Sequence, residues 1–117
     1  MSLQLYSAKK NFAVQKAERF FKERRVQIQT VDLKKHKLGM RELQLFARAA
    51  GGAYQLVDRS ATAVLSHPVA HTDQEDIILG YLLEKPEFMR TPIVRGGQRV
   101  VIGEDPDGWQ HLLDAQK

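Results

Sequence analysis

The chain contains no cysteine. That absence removes every thiol mechanism from its own repertoire, since it can form neither a thiolate nucleophile nor a disulfide. No apolar run approaches the roughly 20 residues that a membrane-spanning helix needs. The first residues also lack the apolar core of a signal peptide, so the expectation is a soluble cytoplasmic protein with no membrane partner. Internal repeats, low-complexity tracts and linkers long enough to split the 117 residues are missing too, which predicts a single domain over 1–117. Acidic residues are scarce at the front: residues 1–41 hold eleven Lys/Arg against three Asp/Glu, a balance of +8, while 42–117 hold seven against eleven, a balance of −4. A basic half of this kind can meet an anion, a nucleic acid or an acidic protein, or it can simply solubilise the chain, which is the reading adopted. No recognition helix and no aromatic-rich basic sheet face stands out, so nucleic acid is not the expected partner.

What is present is an ordinary globular composition, 43% apolar, which argues against disorder. Leu3-Gln4-Leu5-Tyr6 alternates as a short strand, Ser7 to Lys10 is a tight polar loop, and Asn11 is a good N-cap for an amphipathic helix. Ala13, Ala17, Phe20 and Phe21 give that helix its apolar stripe, and Val26 to Val31 alternates as a second strand. Strand, helix and strand in so short a span make a βαβ unit with parallel strands. Met40, Leu43, Phe46, Ala47 and Ala50 predict a second long helix, stopped by Gly51-Gly52. Residues 53–71 read as short helical or irregular packing. Thr72-Asp73-Gln74-Glu75 reads as a capping box, with Ile77, Ile78, Tyr81 and Leu82 on the core face of its helix. Thr91 to Val94, a Gly96-Gly97 turn and Arg99 to Gly103 predict a hairpin. Asp105 and Pro106 open a last helix with Trp109, Leu112 and Leu113 inside. The order is β-α-β, a helical insertion over about 39–88, then β-β-α. It is an α/β, thioredoxin-like arrangement with a mixed four-stranded sheet.

Several segments sharpen this. Leu5-Tyr6 with Lys9-Lys10-Asn11, the run Lys16 to Arg24, Val31-Asp32-Leu33, Leu56-Val57-Asp58-Arg59 and Arg90-Thr91-Pro92-Ile93-Val94-Arg95 follow one another in the chain. In them the sequence resembles the arsenate reductase-like family, which also includes the Spx-type transcription regulators and glutaredoxin-type arsenate reductases. The resemblance implies a cysteine at the position of Asn11, a second redox cysteine at that of Val14, oxyanion-gathering arginines at Arg59 and Arg90, and a cis peptide bond before Pro92. Both thiols are absent here. A carboxamide is no nucleophile, so the expectation is a redox-inactive protein with no cofactor, acting by binding. The candidate anion site is Lys9, Lys10, Asn11, Arg59 and Arg90, with a small oxyanion as ligand. The competing reading has Asn11 as a plain cap and the arginines paired with Asp58 or nearby carboxylates. The resemblance also implies a protein partner, RNA polymerase among the possibilities. Alternatives are an arsenate reductase or glutaredoxin-type oxidoreductase with its chemistry supplied differently, and a nucleic-acid binder using the basic front half. His67 and His71 with Asp73 lack a metal-binding frame, and no motif supports Ser60 as a nucleophile, so neither a metal nor a catalytic residue is expected.

Overall fold

A computed structural model describes residues 3–115. Strand β1 (Leu3–Ser7) sends Leu3 and Leu5 to one face of the sheet and Gln4 and Tyr6 to the other. Helix α1 (Phe12–Glu23) follows, capped by Asn11, and β2 (Ile28–Asp32) runs parallel to β1 with Leu3 opposite Ile28 and Tyr6 opposite Val31. The insertion then supplies α2 (Met40–Ala50), α3 (Ala53–Leu56), α4 (Thr62–Leu65) and α5 (Glu75–Glu84), with 3₁₀ turns at Pro68–His71 and Pro86–Phe88. Strands β3 (Ile93–Gly96) and β4 (Arg99–Ile102) form the hairpin, and α6 (Pro106–Asp114) closes the order. The sheet reads β2-β1-β3-β4, with the last two pairings antiparallel. This is the mixed four-stranded sheet that the pattern predicts.

Each face of the sheet carries its own core. Leu3, Leu5 and Val94 meet Val14, Ala17 and Phe21 of α1 and Trp109 and Leu112 of α6. On the other face, Tyr6 and Ile93 meet the helices of the insertion through Leu43, Phe46, Leu56, Ile78 and Leu82.

Four local readings change. In α1 the buried line is Val14, Ala17 and Phe21, one step round from the predicted stripe. Phe20 lies half-buried at its rim because its ring rests on Trp109, 5.3 Å between centroids, under the Arg24 guanidinium at 3.6 Å. Val26 and Gln27 do not join β2: Arg25 takes a left-handed φ of 56°, and the Arg25 and Val26 amides donate to Lys22 and Phe21 carbonyls. The α1 terminus therefore consumes the residue that alternation assigns to the strand. Helix α5 has Gln74, not Thr72, as its N-cap, and the Glu75 carboxylate accepts from the Ala53 amide at 2.9 Å instead of closing a capping box. Its buried face is Ile78, Leu79 and Leu82, which leaves Ile77 exposed. In the hairpin the turn is Gly97-Gln98, with Gly97 at φ 64°, and Gly96 stays in β3. Leu5, Ala17 and Ile93 are fully buried, while Val31 and Val101 are half-buried.

Candidate functional site

Asn11 sits where β1 hands over to α1. Its carboxamide oxygen accepts from the Val14 amide at 2.8 Å, satisfying one of the unpaired donors of the first turn. The carboxamide nitrogen lies 3.4 Å from Thr91 Oγ1, which ties the start of α1 to the segment ahead of β3. The Thr91–Pro92 peptide bond is cis, and Pro92 is buried. Beside the cap, Phe12 points outward with 89% of its surface exposed.

Arg59, between α3 and α4, and Arg90, just past the end of the insertion, both reach α3. Val57 bridges Met89, the Arg90 amide donates to Leu56 and the Asp58 amide to Phe88, so residues 56–58 and 88–90 run antiparallel. Their guanidinium groups donate to consecutive carbonyls at the end of α3: Arg59 to Tyr54 at 3.2 Å, Arg90 to Gln55 at 3.2 Å. A four-residue helix has carbonyls with no partner of its own, and the two cations satisfy them. Arg59 also stacks on the Tyr54 ring at 3.5 Å. Gly103, at φ 80°, leaves room for Arg90, since a Cβ there would meet its Nη2 at 2.9 Å. Asp58 pairs with neither arginine and instead accepts from the Ser60 amide and hydroxyl.

Lys9 and Lys10 face the other way. They line a shallow cleft with Ser7, Glu18, Thr30 and Asp32 at the β2 side of the sheet. Lys10 is 3.6 Å from Glu18 and largely exposed, so it already has a carboxylate near it. The five candidate residues thus fall into a lysine pair beside β2 and an arginine pair on α3. Asn11 meets Thr91, the neighbour of Arg90. His67 serves the fold: its Nδ1 accepts from the Val69 amide, and its ring stands edge-on to Tyr81 and Phe88.

A polar cluster that sequence reasoning missed lies on the insertion side of β1. The Tyr6 hydroxyl donates to Glu42 at 2.9 Å, His36 Nε2 is 3.2 Å from the same carboxylate, and Arg95 approaches it at 3.6 Å. Burial, and then the Glu42 carboxylate, push the Tyr6 phenol above its ordinary range. Burial alone would raise the Glu42 carboxyl, but hydrogen bonds from Tyr6, His36 and the Gly39 amide outweigh it and hold the group below its ordinary value. No local signal could have found the cluster, because its members come from β1, the β2–α2 loop, α2 and β3.

The sequence matches no family model and no curated protein. Solved structures do match in fold over almost the whole chain. The YffB protein superposes with a TM-score of 0.81 at 22% identity, covering 95% of this chain and 98% of its own. An ArsC-family-related protein from Bacteroides fragilis gives 0.80 at 17%, covering 96% and 98%. The arsenate reductase from Vibrio cholerae gives 0.79 at 14%, covering 97% of each chain. What these likenesses share with the chain is architecture: a mixed sheet, β-α-β followed by β-β-α, with helices inserted between. This protein has the thioredoxin-like fold of the arsenate reductase-related structures, and it has that fold without a single cysteine.

Proposed function

We propose that the chain is a redox-inactive member of the arsenate reductase-like family, a cytoplasmic protein that works by binding a protein partner. The observation that carries this reading is Asn11. At the helix terminus where the resemblance puts the reactive thiol, the chain has a carboxamide whose oxygen is spent on the Val14 amide. Such a group cannot attack an arsenate or a disulfide, and no other residue of the chain is a thiol. Next to it an aromatic side chain stands in solvent, Phe12, in a loop-and-helix surface rich in lysine and arginine. An exposed ring within a charged rim suits a protein interface better than a closed small-molecule site. The resemblance names RNA polymerase as the first partner to try.

The test has two arms. Incubated with arsenate or a disulfide and with glutathione, glutaredoxin or thioredoxin, the purified chain gives no turnover above the protein-free control. Turnover that survives removal of contaminating reductases overturns the redox-inactive reading. Purified RNA polymerase binds the wild type and binds Phe12→Asp more weakly; equal binding by both moves the interface elsewhere.

A second reading, a small oxyanion held by the arginine pair, is supported by their meeting on consecutive carbonyls. Each guanidinium has five donors, and one of them accounts for each carbonyl contact. Titration with inorganic phosphate tests it.

A further inference from the structure

The two edges of the sheet differ. β2 ends the sheet with Gln29, Thr30 and Asp32 exposed, a polar border that discourages strand pairing. β4 ends it with Arg99-Val100-Val101-Ile102, three β-branched apolar residues in four, with no proline among them. Its pairing shows which backbone groups are left over. Gly96 lies opposite Arg99 across a two-residue turn, Val94 lies opposite Val101, and the Gly103 amide donates to Pro92. In an antiparallel ladder the hydrogen-bonded pairs alternate, so Arg99, Val101 and Gly103 bond inward to β3. The amides and carbonyls of Val100 and Ile102 therefore point off the sheet, and among the described residues none of these groups has a hydrogen-bond partner.

This edge is the floor of a groove. Leu45 and Arg48 of α2 form one wall, His111 and Leu112 of α6 form the other, and Arg99 and Val100 lie along the base. Gly108 lets α6 come close, since a Cβ there would meet Val101 Cγ1 at 2.9 Å. The groove presents two arginines and a histidine, and no carboxylate lines it.

We propose that the β4 edge is a docking slot for an extended, acidic segment of another protein, which adds as a fifth strand. Main-chain bonds to Val100 and Ile102 would hold it, with its apolar side chains on the α2 side against Leu45 and its carboxylates on the α6 side toward Arg99 and His111, while Arg48 adds positive charge along the α2 wall. Charge selects this occupant. A second copy pairing β4 to β4 would bring arginines of both chains into one groove, which is unfavourable without compensation. A nucleic acid could use the cations but not the strand-spaced donors and acceptors. The slot does not depend on the vacated thiol position, so the reductase assay can go either way without touching it.

The probe is a short capped peptide of alternating glutamate and valine, titrated into the full chain labelled with ¹⁵N. Expected are saturable shifts centred on Gln98 to Ile102 and slowed hydrogen exchange at the Val100 and Ile102 amides. The double variant Arg48→Glu with Arg99→Glu should lose affinity by about tenfold or more and prefer the lysine–valine counterpart. That reversal of preference separates lost charge from lost fold. A peptide N-methylated at alternate residues should not bind. Equal binding of the N-methylated peptide overturns strand addition. Equal binding of the acidic and basic peptides by the wild type overturns the charge argument. No shift at millimolar peptide, concentration-dependent self-association that protects the same amides, or preferential binding of an oligonucleotide there overturns the proposed occupant.

Discussion

Asn11→Cys turns the helix cap into a probe of the site. The cap oxygen accepts from Val14 at 2.8 Å, and a thiolate at the same place inherits that donor. A hydrogen bond to a charged acceptor contributes about 1.5–3 kcal/mol. The N-terminal dipole of a twelve-residue helix adds about 0.3–1 kcal/mol. Taking about 2 kcal/mol and halving it for an exposed position leaves about 1 kcal/mol, or roughly 0.7 of a unit, since about 1.4 kcal/mol is one pKa unit. The new thiol should titrate roughly 0.7 of a unit below the ordinary cysteine value of about 8.5. The neutral thiol is a poorer acceptor, so at acid pH the variant should be less stable than wild type by about 1 kcal/mol. The sign follows from linkage. A folded-state pKa below the unfolded one gives stability that is present above the unfolded value and lost as pH falls through the folded value, so the deficit narrows as pH rises. Thiolate absorbance against pH and urea melts on either side of the transition give both quantities. A pKa at or above the free value, or a deficit that widens with pH, would refute the reasoning.

Two further outcomes follow from the polar contacts. Glu42→Gln should cost about 1 kcal/mol at neutral pH, because charge-assisted bonds from Tyr6 and His36 become neutral ones. The Glu42 pKa is lowered in the fold, so the wild type's advantage is present above the unfolded value, near 4.5, and disappears on acidification. Denaturant melts from neutral to acid pH check this, and a gap that stays constant rejects it. Arg90→Ala should release the Gln55 carbonyl and abolish any phosphate-induced amide shifts at residues 54–59 and 89–91, as a titration of both proteins would reveal. Shifts that persist unchanged remove Arg90 from the oxyanion reading.

The sheet and its order were legible because period and punctuation agree where burial is one-sided. β1 alternates, Asn11 caps, Gly51-Gly52 stops α2, and Asp105-Pro106 opens α6 with the Asp105 carboxylate on the Gly108 amide at 3.0 Å. One error fell where a side chain was claimed by a distant group. Glu75 is a capping-box residue by spacing, but the Ala53 amide is a partner that sequence cannot see. The same holds at the site. Asn11 as a cap was readable from its neighbours, whereas Arg59 and Arg90 found carbonyls on α3 where carboxylates were the obvious alternative. The β4 slot was invisible for a related reason. A strand's sequence does not say which side of it is left unpaired.

Trp109 is the only tryptophan in the chain, and it is completely buried against Phe20 and Phe21 on the α1–α6 side of the sheet. Its emission is therefore a one-sided gauge, sensitive to the opening of that face. The insertion helices α2–α5 lie on the opposite face and dominate a far-ultraviolet dichroism signal together with α1. The protein thus carries an independent optical reporter for one of its two cores. Coincident fluorescence and dichroism melts mean that both faces of the sheet unfold as a single cooperative unit.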